Sequence, residues 1–251
     1  TADVVRTILV DAVLSGRVRE DRLIDTSRIT PGDVIVGVSS AGQSSYESSK
    51  NSGIGSNGLT LARHALLTKE YQERYPETSQ PEDPERKRAA GKFKVTDTPS
   101  ELQGMSIGEA LLSPTRTFAP LLSRLFSEGA ELHGVIHNTG GGASKVLRFG
   151  RGNRYVKEMK LTRPPIFDLI KEGASLSEEE LHKVFNMGMR LELYLPQSVA
   201  KRVLDAAAAL CLEAAVIGAV EQLGDSKRNE VRLTTATGEK IVYSHNFEDG
   251  L

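Results

Sequence analysis

Residues 132–142 read Leu132-His133-Gly134-Val135-Ile136-His137-Asn138-Thr139-Gly140-Gly141-Gly142, a short apolar run that stops at a polar, glycine-rich turn. An apolar run of this length bounded by turn residues reads as a strand. The glycines admit backbone conformations closed to other residues and leave N–H groups uncovered. Where such a turn hands over to a helix, an anion can be held without a charged side chain. Ser56-Asn57-Gly58 repeats the theme at the head of a helical pattern. There Leu61, Ala62, Ala65 and Leu66 share one face, and Ser56 or Asn57 is the expected cap. Two such sites point to a phosphorylated ligand; two ordinary turns are the alternative.

Working outward, strands and helices interleave. Towards the N-terminus, the turn Pro31-Gly32-Asp33 introduces a short buried strand at 34–38, and a Ser- and Gly-rich loop fills 39–55. A helix is expected over about 57–69, a shorter one over 106–112, and an amphipathic one marked by Phe118, Leu121, Leu122, Leu125 and Phe126. Towards the C-terminus, a strand is expected at 155–161, and Pro164-Pro165 opens a helix to about Lys171. Ser177 and Glu180 form a capping box for a helix reaching about Phe185. Leu191, Leu193 and Leu195 alternate with Glu192 and Tyr194 as a strand, and Val199, Val203, Ala206, Ala207 and Leu210 stripe a helix. Strands at 215–221, 230–235 and 240–244 close the chain. The expected fold is α/β (α+β), a mixed β-sheet flanked by helices, without an internal repeat.

Hydrophobic residues make up 39% of the 251 and charged residues 26%, so a packed core is feasible. With 32 basic against 33 acidic residues there is no basic excess to favour nucleic acid or an anionic membrane. No apolar run is long enough to span a bilayer, and no signal peptide is read. The single cysteine, Cys211, falls in an apolar helical pattern and reads as a small buried hydrophobe. It cannot form an internal disulfide, so a reducing cytoplasm is expected. An alternating pattern over 4–14 reads as a strand without a preceding cap, as in a fragment whose N-terminal partners are missing. Residues 17–30 read as a linker, and 76–88, with three prolines and almost nothing apolar, as a mobile excursion.

None of His64, His133, His137, His182 or His245 has metal-ligand spacing, so no metal site is expected. His64 and His182 lie in helices and read as surface or packing residues. His137 differs, because it ends a strand, where ligands of α/β sheets gather. No GxSxG elbow or complete Walker A loop is present. Phe185-Asn186-Met187-Gly188 reads as a helix C-cap with Asn186 or Gly188 left-handed, or as part of a site. Thr115-Arg116 reads as a helix start with an exposed arginine, or as ligand contacts.

Along the chain come Ser56-Asn57-Gly58, Leu112-Ser113-Pro114-Thr115-Arg116, the His137-to-Gly142 turn, Pro164-Pro165-Ile166-Phe167, Phe185-Asn186-Met187-Gly188 and Val216-Ile217-Gly218. This order resembles the aminoimidazole ribonucleotide synthetases, also called phosphoribosylformylglycinamidine cyclo-ligases, over nearly the whole chain. Thr1-Ala2-Asp3 is similar to the tail of that family's Gly-Gly-Glu-Thr-Ala motif. The resemblance implies ATP-dependent ring closure of formylglycinamidine ribonucleotide to 5-aminoimidazole ribonucleotide in purine synthesis. It implies ATP and Mg²⁺ as cofactors, held mainly by an N-terminal domain that also forms a homodimer. Residues 1–30 would then be the last strand and linker of that domain, and 31–251 the C-terminal α/β domain. The phosphoribosyl substrate would be met by Ser56, Asn57, Gly58, His137, Thr139, Gly140, Gly141, Gly142, Asn186 and Gly188, with Ser39, Ser40, Thr115 and Arg116 as further candidates; no catalytic residue is assigned.

Three departures stand out. The family's Ser-Gly-x-His-Ser-Asn-Gly segment is split here, Ser39-Ser40-Ala41-Gly42 being separated from Ser56-Asn57-Gly58, with Gly55 where the histidine is usual. The 76–88 excursion is extra. Arg190 follows Met189 where a small residue is more typical. A related formylglycinamidine ribonucleotide amidotransferase and a non-catalytic nucleotide-binding module are the rival readings; the Pro-Thr-Arg and Phe-Asn-Met-Gly segments favour the cyclo-ligase.

Overall fold

The computed structural model describes residues 13–56, 58–76 and 91–247. The expected opening strand therefore lies outside the described residues up to position 12, and Val13 and Leu14 are exposed and belong to no strand. The excursion beyond Pro76 and the candidate Asn57 also lie outside them.

The strands are β1 (Val34–Ser39), β2 (Ala41–Gly42), β3 (Asn51–Ser52), β4 (Gly134–His137), β5 (Asn153–Glu158), β6 (Met189–Leu195), β7 (Ala214–Gln222), β8 (Arg228–Thr234) and β9 (Lys240–Asn246). The helices are α1 (Leu59–Leu66), α2 (Glu70–Arg74), α3 (Ile107–Leu112), α4 (Ala119–Ser127), α5 (Pro165–Ala174), α6 (Glu178–Val184) and α7 (Gln197–Ala208). Seven strands form one sheet in the order β4-β6-β1-β7-β5-β8-β9. The β5–β8 pair is parallel and the other neighbours antiparallel, so the sheet is mixed, as expected.

Both faces of the central strands are covered. Val34, Val36, Val38, Leu191, Leu193 and Leu195 pack with α4 and α7 on one side. Ile35, Tyr194, Tyr155 and Ile217 pack on the other with Val146 and Leu147, which belong to a 3-10 helix over Gly142–Arg148. Hence β1 and β6 are buried along their whole length. A third cluster joins α1, α3, α5 and α6 around Phe167, Phe185 and Met187.

Several boundaries move. β5 starts at Asn153 and ends at Glu158; the Met159 N–H still reaches the Thr234 carbonyl of β8 at 2.9 Å, and the Lys160 N–H then turns back to the Glu158 carbonyl at 2.9 Å, which ends the pairing. α1 begins after Gly58, which is left-handed (φ 70) and occupies the cap position without a side-chain bond, so Ser56 is not the cap. α1 stops at Leu66, since Leu67 turns extended and bridges to Phe93. The 39–55 segment holds the short β2–β3 pair rather than an unstructured loop. Cys211 is exposed, not buried: α7 ends at Ala208, Cys211 takes φ 56 in the following turn, and Leu212 fills the core position. The capping box forms as expected, with Ser177 and Glu180 bonding reciprocally at the head of α6. No helix among the described residues is long and apolar enough to cross a membrane.

Candidate functional site

The chain leaving α6, Phe185 to Arg190, is where the separate motifs meet. Met187 (φ 51) and Gly188 (φ 98) take the left-handed conformations that redirect it into β6; Asn186 does not. The buried Asn186 side chain is instead a staple. Its Oδ1 accepts from the Ser40 hydroxyl at 2.9 Å and from the Gly188 N–H at 2.8 Å, while Nδ2 donates to the carbonyls of Gly53 (3.0 Å) and Ile54 (3.2 Å). The Ser40 N–H donates to the Gly188 carbonyl at 3.0 Å.

Both glycine-rich segments close onto Phe185. A Cβ on Gly58 would fall 2.4 Å from the Phe185 ring, and one on Gly142 would fall 2.5 Å from the carbonyl oxygens of both His182 and Phe185. Gly142 is thus required for packing. Gly141 (φ 96) has only ordinary contacts at 3.6 Å and beyond, and Gly140 is exposed. The Gly142 N–H closes the turn onto the Thr139 carbonyl at 3.0 Å, whereas those of Gly140 and Gly141 have no protein acceptor among the described residues. Lys145 Nζ donates to the Thr139 hydroxyl at 2.8 Å.

His137 leaves the end of β4 half-buried, edge-on to Phe118 with ring centroids 6.1 Å apart. Arg190 Nε donates to its Nε2 at 3.2 Å. Burial first, then the positive charges of Arg190 and Lys145, push the His137 pKa down to about 4. At neutral pH the imidazole is therefore uncharged, with Nε2 as acceptor. Arg190 Nη2 reaches the Thr115 hydroxyl at 3.4 Å, and Nη1 has no partner.

Arg116 is buried rather than exposed. Its Nε and Nη2 hold the Glu47 carboxylate at 2.9 and 2.6 Å, and the remaining donors reach the carbonyls of Ser39, Ala41 and Gly42. Burial raises the Glu47 pKa, but the bonds from Arg116 and the Ser44 N–H outweigh it and leave it lowered. Arg116 thus ties 39–42 in place. Ser39 accepts the Ala41 N–H locally, and Ser56 is exposed. An open groove of about 370 Å³ lined by Ala41, Gly42, Asn51, Ser52, Pro164 and Cys211, among others, runs beside this segment; it is not lined by His137, Thr139 or the three glycines.

Beneath the glycine turn lies a buried polar network the sequence reading missed. Lys157 and Glu192, both fully buried, pair at 2.7 Å. Lys157 also donates to the Ala143 carbonyl at 2.9 Å, and Glu192 accepts from Asn138 Nδ2 at 2.9 Å and from the Tyr194 hydroxyl. Burial lowers the Lys157 pKa against the pull of Glu192. The network fixes both ends of the 138–143 turn. Its one sequence signal is an acid amid the apolar residues of β6; its partner on β5 is separated from it by two intervening strands, β1 and β7, beyond reach of pattern reading.

Together these contacts present backbone amides, hydroxyls and two cations around a neutral imidazole, a setting suited to an anion. Among the described residues no group of three or more His, Cys, Asp or Glu could hold a metal ion. The described residues do not fit Mg²⁺.

Residues 30–229 match the family described as AIR synthase related protein, C-terminal domain. A phosphoribosylformylglycinamidine cyclo-ligase of Methanopyrus kandleri is 33% identical over 208 residues, covering 82% of this chain and 49% of that protein. One of Symbiobacterium thermophilum is 31% identical over 208 residues, covering 82% and 50%. The chain spans about half the length of the curated relatives it matches. Among solved structures, the hydrogenase maturation protein HypE aligns with a TM-score of 0.48 and 19% identity over 94% of this chain and 60% of that one.

Proposed function

The chain belongs to the AIR synthase related family, whose C-terminal domain it contains, and from that membership we propose that it forms the substrate-binding half of an ATP-dependent cyclo-ligase. The reaction is ring closure of formylglycinamidine ribonucleotide to 5-aminoimidazole ribonucleotide. The observation that supports this reading is the convergence of the 55–58, 137–142 and 185–190 segments into one cluster with uncovered amides at Gly140 and Gly141.

In this role the amides of Gly140 and Gly141, with the Thr139 hydroxyl, bind the ribose phosphate, and Ser56 and Gly58 border the same site. Asn186 and Gly188 hold the cleft's walls together, Ser40 and Arg116 brace them, and neutral His137 offers a hydrogen bond to the substrate without adding charge. Bound ATP would supply the phosphoryl group that makes the formyl oxygen a leaving group, with ADP and phosphate as the products beside the closed ring. This chain's part is to fix the remote phosphate so that the reacting atoms are oriented, a form of catalysis by positioning. Nucleotide and Mg²⁺ ligands, and a homodimer contact, would then come chiefly from outside the described residues, and a cytoplasmic setting accords with the pathway.

The test is calorimetric titration of formylglycinamidine ribonucleotide into the wild type and Gly141→Val, both checked for folding. A branched side chain at φ 96 is strained and obstructs the amide. Losing one charge-assisted bond should cost about 1.5–3 kcal/mol, roughly ten- to hundred-fold in affinity. Unchanged affinity in a folded variant would make residues 140–142 a structural turn only.

A further inference from the structure

Arg190 is 1% exposed, yet among the described residues no carboxylate pairs with it. Its contacts are a neutral imidazole at 3.2 Å and a hydroxyl at 3.4 Å, and among the described residues Nη1 has no hydrogen-bond partner. Arg116 and Lys157, cations buried as deeply, each hold a carboxylate, at 2.6 and 2.7 Å. A buried charge without a counter-ion is strongly disfavoured, and guanidinium does not escape by losing its proton. Burial lowers the Arg190 pKa, but the group stays cationic.

The space it occupies is made by Gly55. A Cβ there would lie 2.8 Å from Cζ and Nη1 and 3.0 Å from Nη2, so any side chain at 55 would displace the guanidinium. The two positions at which the sequence departs from the resemblance, a glycine at 55 and an arginine at 190, thus touch one another. Lys145 adds a second positive charge near His137.

We propose that Arg190 is the anion-recognising residue of the glycine-rich site, its uncompensated guanidinium charge, linked to that site through His137, supplying the attraction for a phosphate monoester. This rests on the phosphate-site reading above and adds to it the residue that sets affinity. Guanidinium suits phosphate because its planar donors match two oxygens. The exposed Thr115 hydroxyl, loosely held by Nη2, marks the side from which the ligand oxygen approaches.

The experiment titrates ribose 5-phosphate, with ribose and inorganic phosphate as separate arms, into the folded wild type, Arg190→Met and Gly141→Val, and records thermal midpoints with and without ligand. Ribose 5-phosphate should bind the wild type and raise its Tm; ribose should not bind. Arg190→Met should bind at least tenfold more weakly, while its ligand-free Tm equals or exceeds that of the wild type, since an uncompensated buried charge has been removed. Should the methionine variant fail to fold, Arg190→Gln, which keeps a donor towards His137, is expected to show the same loss. Wild-type affinity in either folded Arg190 variant overturns the proposal. If Gly141→Val alone loses binding, the glycine site stands and Arg190 has no part in it; if neither variant loses it, or the wild type binds nothing, both readings fall. Equal binding of inorganic phosphate and ribose 5-phosphate supports Arg190 as a phosphate contact without a sugar subsite.

Discussion

At the scale of single residues, burial decides which polar groups are available to a ligand. His182 lies on the buried face of α6, 3.7 Å from Glu178 one turn earlier, and burial pushes its pKa down to about 4 although Glu178 pulls it up; Arg163 adds to the depression. His137 is depressed to a similar value. An unfolded histidine titrates near 6.5, so between about pH 6.5 and 4 the unfolded chain binds more protons than the folded one. Stability from these groups is therefore full above about pH 6.5 and is lost as pH falls. Urea unfolding at pH 7.5 and pH 5 should show a drop of up to about 2 kcal/mol per histidine. His182→Gln should flatten the slope, and a slope unchanged by that substitution would show that His182 is not the buried base. The same burial hid other residues from sequence reading. Arg116 looked like an exposed arginine at a helix start, but the Glu47 carboxylate and three carbonyls that enclose it come from a segment some seventy positions away. Cys211 looked buried because the apolar stripe of α7 runs on past the helix end.

At the scale of elements, the strands and helices were legible because their apolar periods and caps are local properties. The Ser177–Glu180 box marks α6 correctly, and the alternation over 191–195 marks β6. What alternation could not convey is that the second face of β6 is covered too. Glu192 therefore does not point to solvent but into the sheet core, where it meets Lys157 of β5. That ion pair ties β5, β6 and the glycine turn together. Lys157→Met should leave Glu192 buried without its partner and cost about 3–5 kcal/mol in denaturant unfolding. Adding Glu192→Gln should recover much of this, because the residual charge is removed. A single variant as stable as the wild type would mean that water reaches the pair.

At the scale of the whole molecule, the sheet brings to one end what the sequence spreads over some 150 positions. β4, β6 and the 39–58 segment meet there because β6 is the shared neighbour of β4 and β1. The motifs were visible as local turns, but their convergence on Phe185 to Arg190 depends on strand order, which no local pattern encodes. The Gly55–Arg190 contact likewise appears only in the fold. The most direct measurement is amide chemical-shift mapping of the folded chain during titration with formylglycinamidine ribonucleotide. The expected result is saturable shifts at Gly140 and Gly141, with Thr139 and Gly55 moving in concert and the dephosphorylated nucleoside leaving them in place. Saturable shifts confined to residues outside the 55–58, 137–142 and 185–190 segments would contradict the assignment of the phosphate site.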